Sequence, residues 1–154
     1  MQFISTRGEE KVTGAQAIVE GIARDGGLFV PSVFPAVPRV ELGAMLGMDY
    51  PERAAFILHK YLDEYDEEEL LGALKKAYAQ FEGGDAAPLV RVENGMYMLE
   101  LFHGPTCAFK DMALTVLPYL LRKGCDLCGT KEKILILVAT SGDTGKAALE
   151  GFRD

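Results

Sequence analysis

Ile134-Leu135-Ile136-Leu137-Val138-Ala139 runs directly into Thr140-Ser141-Gly142-Asp143-Thr144-Gly145-Lys146. The first six residues form an unbroken apolar run rich in branched side chains, the pattern of a strand buried on both faces of a parallel sheet. The residues after it make a turn of small side chains that enters a helix near Thr144 and reaches Phe152 as the chain ends. Strand, turn and helix together are half of a βαβ unit, so the fold class is α/β and the parallel partner strand is expected from residues beyond this chain. An open sheet truncated at that point leaves apolar surface on Ile134–Ala139, a route to self-association.

The same turn carries chemistry. Backbone N–H groups made approachable by Gly142 and Gly145, joined by the Ser141 and Thr144 hydroxyls, form a cradle for an anion at a strand end where open α/β sheets bind ligands. An ordinary capped strand-to-helix turn accounts for the same residues. A nucleotide P-loop does not, because its spacing demands glycine at Thr140 and a hydroxyl residue at Ala147.

Upstream lies Glu100-Leu101-Phe102-His103-Gly104-Pro105-Thr106-Cys107-Ala108-Phe109-Lys110-Asp111. A lysine that opens a helix sits where the dipole and free N–H groups disfavour its ammonium form, and an apolar neighbour such as Phe109 desolvates it further. A neutral amine is what a Schiff-base nucleophile requires. Asp111 also fits a plain first-turn carboxylate, so functional and structural readings of the pair both stand at this point.

Asp111–Arg122 is expected to be one largely buried helix, with Pro118 kinking it near the middle. Before it, Leu89–Val92 and Met96–Phe102 flank Glu93-Asn94-Gly95, a hairpin signal. Earlier still, apolar periodicity predicts helices over 13–23, 40–46, 51–62 and 67–81, with Leu28–Pro31 as a short extended piece. The acidic block Asp63–Glu69 fits the solvated start of the fourth of these helices. Gly83-Gly84 marks the change of character. Residues 1–84 are therefore expected to form a mostly helical domain, and 85–154 the beginning of an α/β domain.

The balance of 16 basic against 23 acidic residues, a net charge of -7, repels nucleic acid and anionic membrane surfaces. No run approaches the roughly 20 apolar residues of a membrane helix, which suggests a soluble, cytoplasmic protein. Cys107, Cys125 and Cys128 offer no disulfide framework. With His103 they have zinc-ligand types and one close pair spacing, but the blander expectation is no metal, with Cys107 filling a small apolar position and the other pair in a turn between helix and strand.

In order along the chain, Ser5-Thr6-Arg7-Gly8, Asp25-Gly26-Gly27-Leu28-Phe29-Val30-Pro31, Leu99–Asp111 and Ala139–Gly145 resemble the successive N-terminal signatures of the threonine synthase family. The resemblance spans almost the whole chain. It implies a pyridoxal phosphate (PLP) enzyme of fold type II, the tryptophan synthase β-subunit class, which converts O-phosphohomoserine and water to threonine and phosphate. On this match Lys110 is the Schiff-base lysine that holds PLP and later moves protons, with Phe109 beside it and Asp143 near the cofactor's 3-hydroxyl, where related enzymes often carry asparagine. Ser141, Gly142, Thr144 and Gly145 match the loop that receives the substrate carboxylate, and His103 and Thr106 fall to the wall around Lys110. Cys107 stands where the family varies and often has a larger apolar residue. The loop that grips the cofactor phosphate lies further along in the family, so the resemblance implies a fragment that binds PLP weakly or not at all and is inactive alone. Another fold-type II lyase, of threonine dehydratase or cysteine synthase type, or a non-catalytic N-terminal module are the alternatives.

Overall fold

The computed structural model describes residues 1–153. Three short strands, β1 (Gln2–Ser5), β2 (Lys11–Thr13) and, after the first helix, β3 (Phe29–Pro31), form an antiparallel sheet in the order β2-β1-β3. Helix α1 (Gly14–Glu20) lies between β2 and β3. It is capped reciprocally: the Gln16 N–H donates to Thr13 Oγ1 (3.2 Å) and the Thr13 N–H to Gln16 Oε1 (2.9 Å). Three further helices follow, α2 (Arg39–Met45), α3 (Tyr50–His59) and α4 (Glu67–Tyr78). At the head of α4, Asp66 accepts from the Glu69 N–H at 2.9 Å, and Glu67–Glu69 fill the first turn. Negative charge complements the dipole there, which accounts for the acidic block without a metal.

The N-terminal sheet is cinched by Asp25. Its carboxylate accepts from the Ser5 hydroxyl (2.7 Å) and the Gly27 N–H (2.8 Å), and Ser5 itself is buried. These two bonds, with the Arg7 guanidinium nearby, hold Asp25 below the usual carboxylate range. A depressed carboxylate stabilises the fold at pH values above its unfolded value and loses that contribution as pH falls through the folded one. Ser5→Ala removes the largest cause, so a carboxyl NMR titration should show the Asp25 midpoint moving upward. An unmoved midpoint would reject this account of the link between β1 and the 25–27 turn.

Beyond Gly84 come the hairpin strands β4 (Leu89–Glu93) and β5 (Met96–Leu99), then α5 (Asp111–Leu114), α6 (Leu117–Cys128) and α7 (Asp143–Gly151). The hairpin closes as expected around Asn94-Gly95, with a register shift between Arg91 and Glu93 and Gly95 at φ 77°. The helix expected over Asp111–Arg122 is instead two. Pro118 has no N–H to offer the Leu114 carbonyl and falls in the first turn of α6, where that loss costs nothing. Helix α7 docks at this break. A side chain on Gly151 would place its Cβ 2.1 Å from the Leu114 oxygen, so only glycine lets the end of α7 reach α5. Cys125 and Cys128 lie in the last turn of α6, not beyond it.

The main core gathers Ala55 of α3, Leu70, Leu74 and Tyr78 of α4, Phe81, Ala86 and Val116. Two buried phenols tie it to the helices after the hairpin. Tyr78 donates to the Met112 carbonyl and Tyr65 to that of Leu120, each at 2.8 Å. Burial raises the pKa of both, so they stay protonated donors. A smaller cluster of Ala15, Leu62 and Tyr65 joins α1 to α6.

Residues 134–139 depart from expectation. They pair with no strand among the described residues, and Leu135 and Leu137 are 78% and 84% exposed. The strand buried on both faces is thus not realised, because a parallel strand needs neighbours on both edges and cover on both faces. The hairpin is likewise exposed along its length. Among the described residues no helix is long and apolar enough to cross a membrane.

Candidate functional site

The segment leading to Lys110 folds upon itself. Phe102 stacks on the His103 ring with centroids 4.7 Å apart, His103 Nε2 lies 2.7 Å from Glu100 Oε2, and the Glu82 N–H donates to the His103 carbonyl. The backbone then turns at Gly104, whose carbonyl accepts from the Cys107 N–H. Asp111, 1% exposed, reaches back across this turn and accepts from both the N–H (2.8 Å) and the hydroxyl (2.6 Å) of Thr106. Gly104 is obligatory there, since a Cβ would sit 2.5 Å from the Asp111 carboxylate. Cys107 takes φ 58°, the one left-handed non-glycine among the described residues. Its small side chain faces solvent instead of filling an apolar position.

Lys110 is half-buried at the cap position of α5, its Nζ 4.2 Å from the Phe109 ring centroid. Phe109 is 61% exposed, so the ring contacts the amine without drying it, and a ring face favours a cation. Helix α5 is also only one turn long, which weakens its dipole. The expected desolvation by Phe109 is therefore corrected.

At the second motif, Gly142 (φ 151°) precedes α7. The Thr140 hydroxyl accepts from the N–H groups of Gly142 (3.2 Å) and Gly145 (2.9 Å). Those two glycines therefore shape the bend and do not present free donors. The N–H groups of Ser141, Asp143 and Thr144 and the hydroxyls of Ser141 and Thr144 make no hydrogen bond among the described residues. An anion at the start of α7 would meet those donors, already oriented by Thr140. Asp143 sits exposed in the first turn, the side chain nearest in sequence that such an anion would have to avoid. Helix α7 packs on α5, the helix that Lys110 opens, so the two motifs head adjacent helices.

Sequence reasoning missed Thr140, although a hydroxyl two residues before a glycine is a recognisable local turn signal. It also missed the Asp111 clasp, whose i, i+5 span belongs to no periodic pattern. Among the described residues no three His, Cys, Asp or Glu side chains gather as a metal site. A mostly apolar cavity of about 510 Å³ opens between α3 and α5–α6, lined by Ile57, Leu58, Met112, Leu114 and Leu117 with Tyr50, Arg53 and Tyr78 at its wall.

The model of the family described as "Threonine synthase N terminus" matches residues 2–78. The chain belongs to the threonine synthase family. It is 37% identical to the threonine synthase of Schizosaccharomyces pombe over 162 residues, covering 99% of this chain and 32% of that protein. The Pseudomonas aeruginosa threonine synthase is also 37% identical over 155 residues, covering 99% and 33%. The crystal structure of PLP-bound threonine synthase from Brucella melitensis superposes with a TM-score of 0.91 at 37% identity, covering 99% of this chain and 33% of that one. The chain thus spans about a third of the length of the threonine synthases it matches. The superposition extends past the family model through both motifs, so the exposed hairpin and the 134–139 run belong to a threonine synthase framework, an α/β fold of type II.

Proposed function

We propose that this chain supplies the reactive lysine and the substrate-carboxylate bend of a PLP-dependent threonine synthase acting on O-phosphohomoserine and water. The observation that carries the proposal is Lys110 at the head of α5, on a clasped loop, with α7, whose first turn carries open donors, packed on the same helix. The residues fit the cofactor's demands: a half-buried amine at a defined position, and a bend whose unused N–H groups suit an anion. PLP, when bound, supplies an electron sink for the electron pairs left on Cα and then Cβ as phosphate departs from Cγ. Lys110 Nζ would take and return the protons at those carbons, since one amine on a short tether can serve both. Ser141 and Thr144, with the N–H groups of Asp143 and Thr144, would hold the substrate α-carboxylate and so limit where Cα can lie. Gly142 and Gly145 keep the bend in shape, and Phe109 orients Lys110. Asp143 would face the cofactor's 3-hydroxyl side.

The junction at Gly83-Gly84 belongs to the same reading, with 1–84 mostly helical and 85–154 opening the α/β part. Limited proteolysis within 83–85 tests it: because Leu70, Leu74 and Tyr78 pack against Val116 across the junction, the two fragments should be cut cleanly there yet stay associated, and cleavage elsewhere in preference would count against the boundary. Self-association through the exposed 134–139 run, in a soluble cytoplasmic setting, completes the proposal.

By resemblance, the cofactor's phosphate grip lies further along the family's sequence. Adding PLP to the purified chain and trapping with borohydride should therefore give a sub-stoichiometric adduct, concentrated on Lys110 when peptides are mapped. A stoichiometric adduct would overturn the weak-binding part. An adduct spread evenly over the surface lysines would overturn the assignment of Lys110.

A further inference from the structure

We infer that Asp111 and Thr106 are positioning residues that set the direction of the Lys110 amine. This rests on the reading of Lys110 as the amine that engages the cofactor. The Asp111 carboxylate, 1% exposed, accepts both donors of Thr106, at 2.8 and 2.6 Å. Those bonds close a ring that contains Cys107, Ala108, Phe109 and Lys110 and nothing else between the clasp residues. Within that ring Cys107 holds φ 58°, a conformation that is strained for a non-glycine residue and persists only where its surroundings over-determine it. The carboxylate is what over-determines it. Gly104 lies against Asp111 too closely for any Cβ, and the Thr115 hydroxyl donates to the Asp111 carbonyl at 2.7 Å, so the clasp is pinned from both sides.

The consequence is geometric. The Lys110 backbone, at φ −65° and ψ −21°, is already helical before α5 begins, and its Nζ rests 4.2 Å from the Phe109 ring centroid. Phe109 is largely exposed and packs little, so neighbouring side chains do not fix the pair. The loop does. A lysine side chain has several rotatable bonds and is held in one direction only if its backbone and one neighbour are held. Asp111 would act on the reaction through Lys110 and without touching substrate.

The test uses the full chain with its lysines reductively methylated by ¹³C-formaldehyde, followed by proton–carbon NMR. Lys60 provides an internal control, because its Nζ also lies over a ring, that of Phe56, at 4.7 Å. Lys110 and Lys60 should both show ring-shifted methyl resonances, assigned by Lys110→Arg and Lys60→Arg. Thr106→Val, which loses the hydroxyl bond and keeps the N–H bond, should move the Lys110 resonance toward those of the exposed lysines while Lys60 stays shifted, and Thr106→Ser should restore it. A Lys110 resonance that stays shifted in Thr106→Val, with only the melting temperature lowered, would make the clasp merely structural and overturn the proposal. Should Thr106→Val not fold, Asp111→Asn decides. It keeps one acceptor of two, so a partial loss of the Lys110 shift is expected and an unchanged one overturns the proposal. Absence of a PLP adduct on Lys110 alongside a shifted wild-type resonance would sink the Schiff-base reading and leave the clasp standing.

Discussion

Lys110→Ala, in a chimera that joins this chain to the C-terminal two-thirds of the Pseudomonas aeruginosa threonine synthase, is expected to cut phosphate release from O-phosphohomoserine by roughly 10³-fold or more, the scale of losing a positioned acid–base group. Lys110→Arg should fall nearly as far, because a guanidinium is never deprotonated under these conditions and cannot accept a proton. The fold should survive both changes. Lys110 is half-buried, makes its main contact with an exposed ring, and contributes its backbone, not its side chain, to the start of α5. Turnover retained above about a tenth of the parent chimera, with unchanged circular dichroism, would remove Lys110 from the mechanism.

The largest stability loss is expected from Leu74→Ala. Leu74 is wholly buried in α4 and sits in the cluster that joins α3 to the helices after the hairpin. Truncation removes the transfer free energy of the lost groups and leaves a cavity, together about 2–5 kcal/mol. Against a total stability on the order of 5–15 kcal/mol, that is a large fraction. The chain has no tryptophan, so urea unfolding followed by tyrosine fluorescence or circular dichroism is the natural measurement. A midpoint unchanged in Leu74→Ala would mean that the cluster does not hold the molecule together. Leu137→Glu supplies the contrast. At 84% exposure it should alter stability by less than about 0.5 kcal/mol, while light scattering should show less self-association. Equal association before and after would acquit the 134–139 run.

Local signals were legible wherever one residue's chemistry decides one turn. Thr13 with Gln16 and Asp66 with Glu69 close caps that need only three-residue spacing. Asn94-Gly95 closes the hairpin for the same reason. The amphipathic faces of α3 and α4 were readable because periodicity records which side meets the core. Strands β1 and β2 were not: four and three residues are too few to show alternation, and their pairing depends on partners as distant as Pro31 is from Phe3.

Pro118 shows the boundary between the two kinds of information. Its presence announced a break, but only the structure shows that the helix splits there and that the end of α7, at Gly151, lies against Leu114 at the break. The same holds at the site. Glycines 142 and 145 pointed to an anion cradle, yet the structure gives their N–H groups to Thr140 and leaves the donors of Ser141, Asp143 and Thr144 open.

By itself, then, the order of residues determined the family and marked Lys110 and the two bends as its candidates, because each is carried by contiguous side chains whose chemistry is local. Only the tertiary structure decided that Asp111 faces Thr106 and not solvent, and that Phe109 touches the amine without drying it. It also decided that the most apolar run in the chain lies exposed. Burial and contact are properties of what the rest of the polypeptide places nearby, and a strand with no neighbour stays wet however hydrophobic it is.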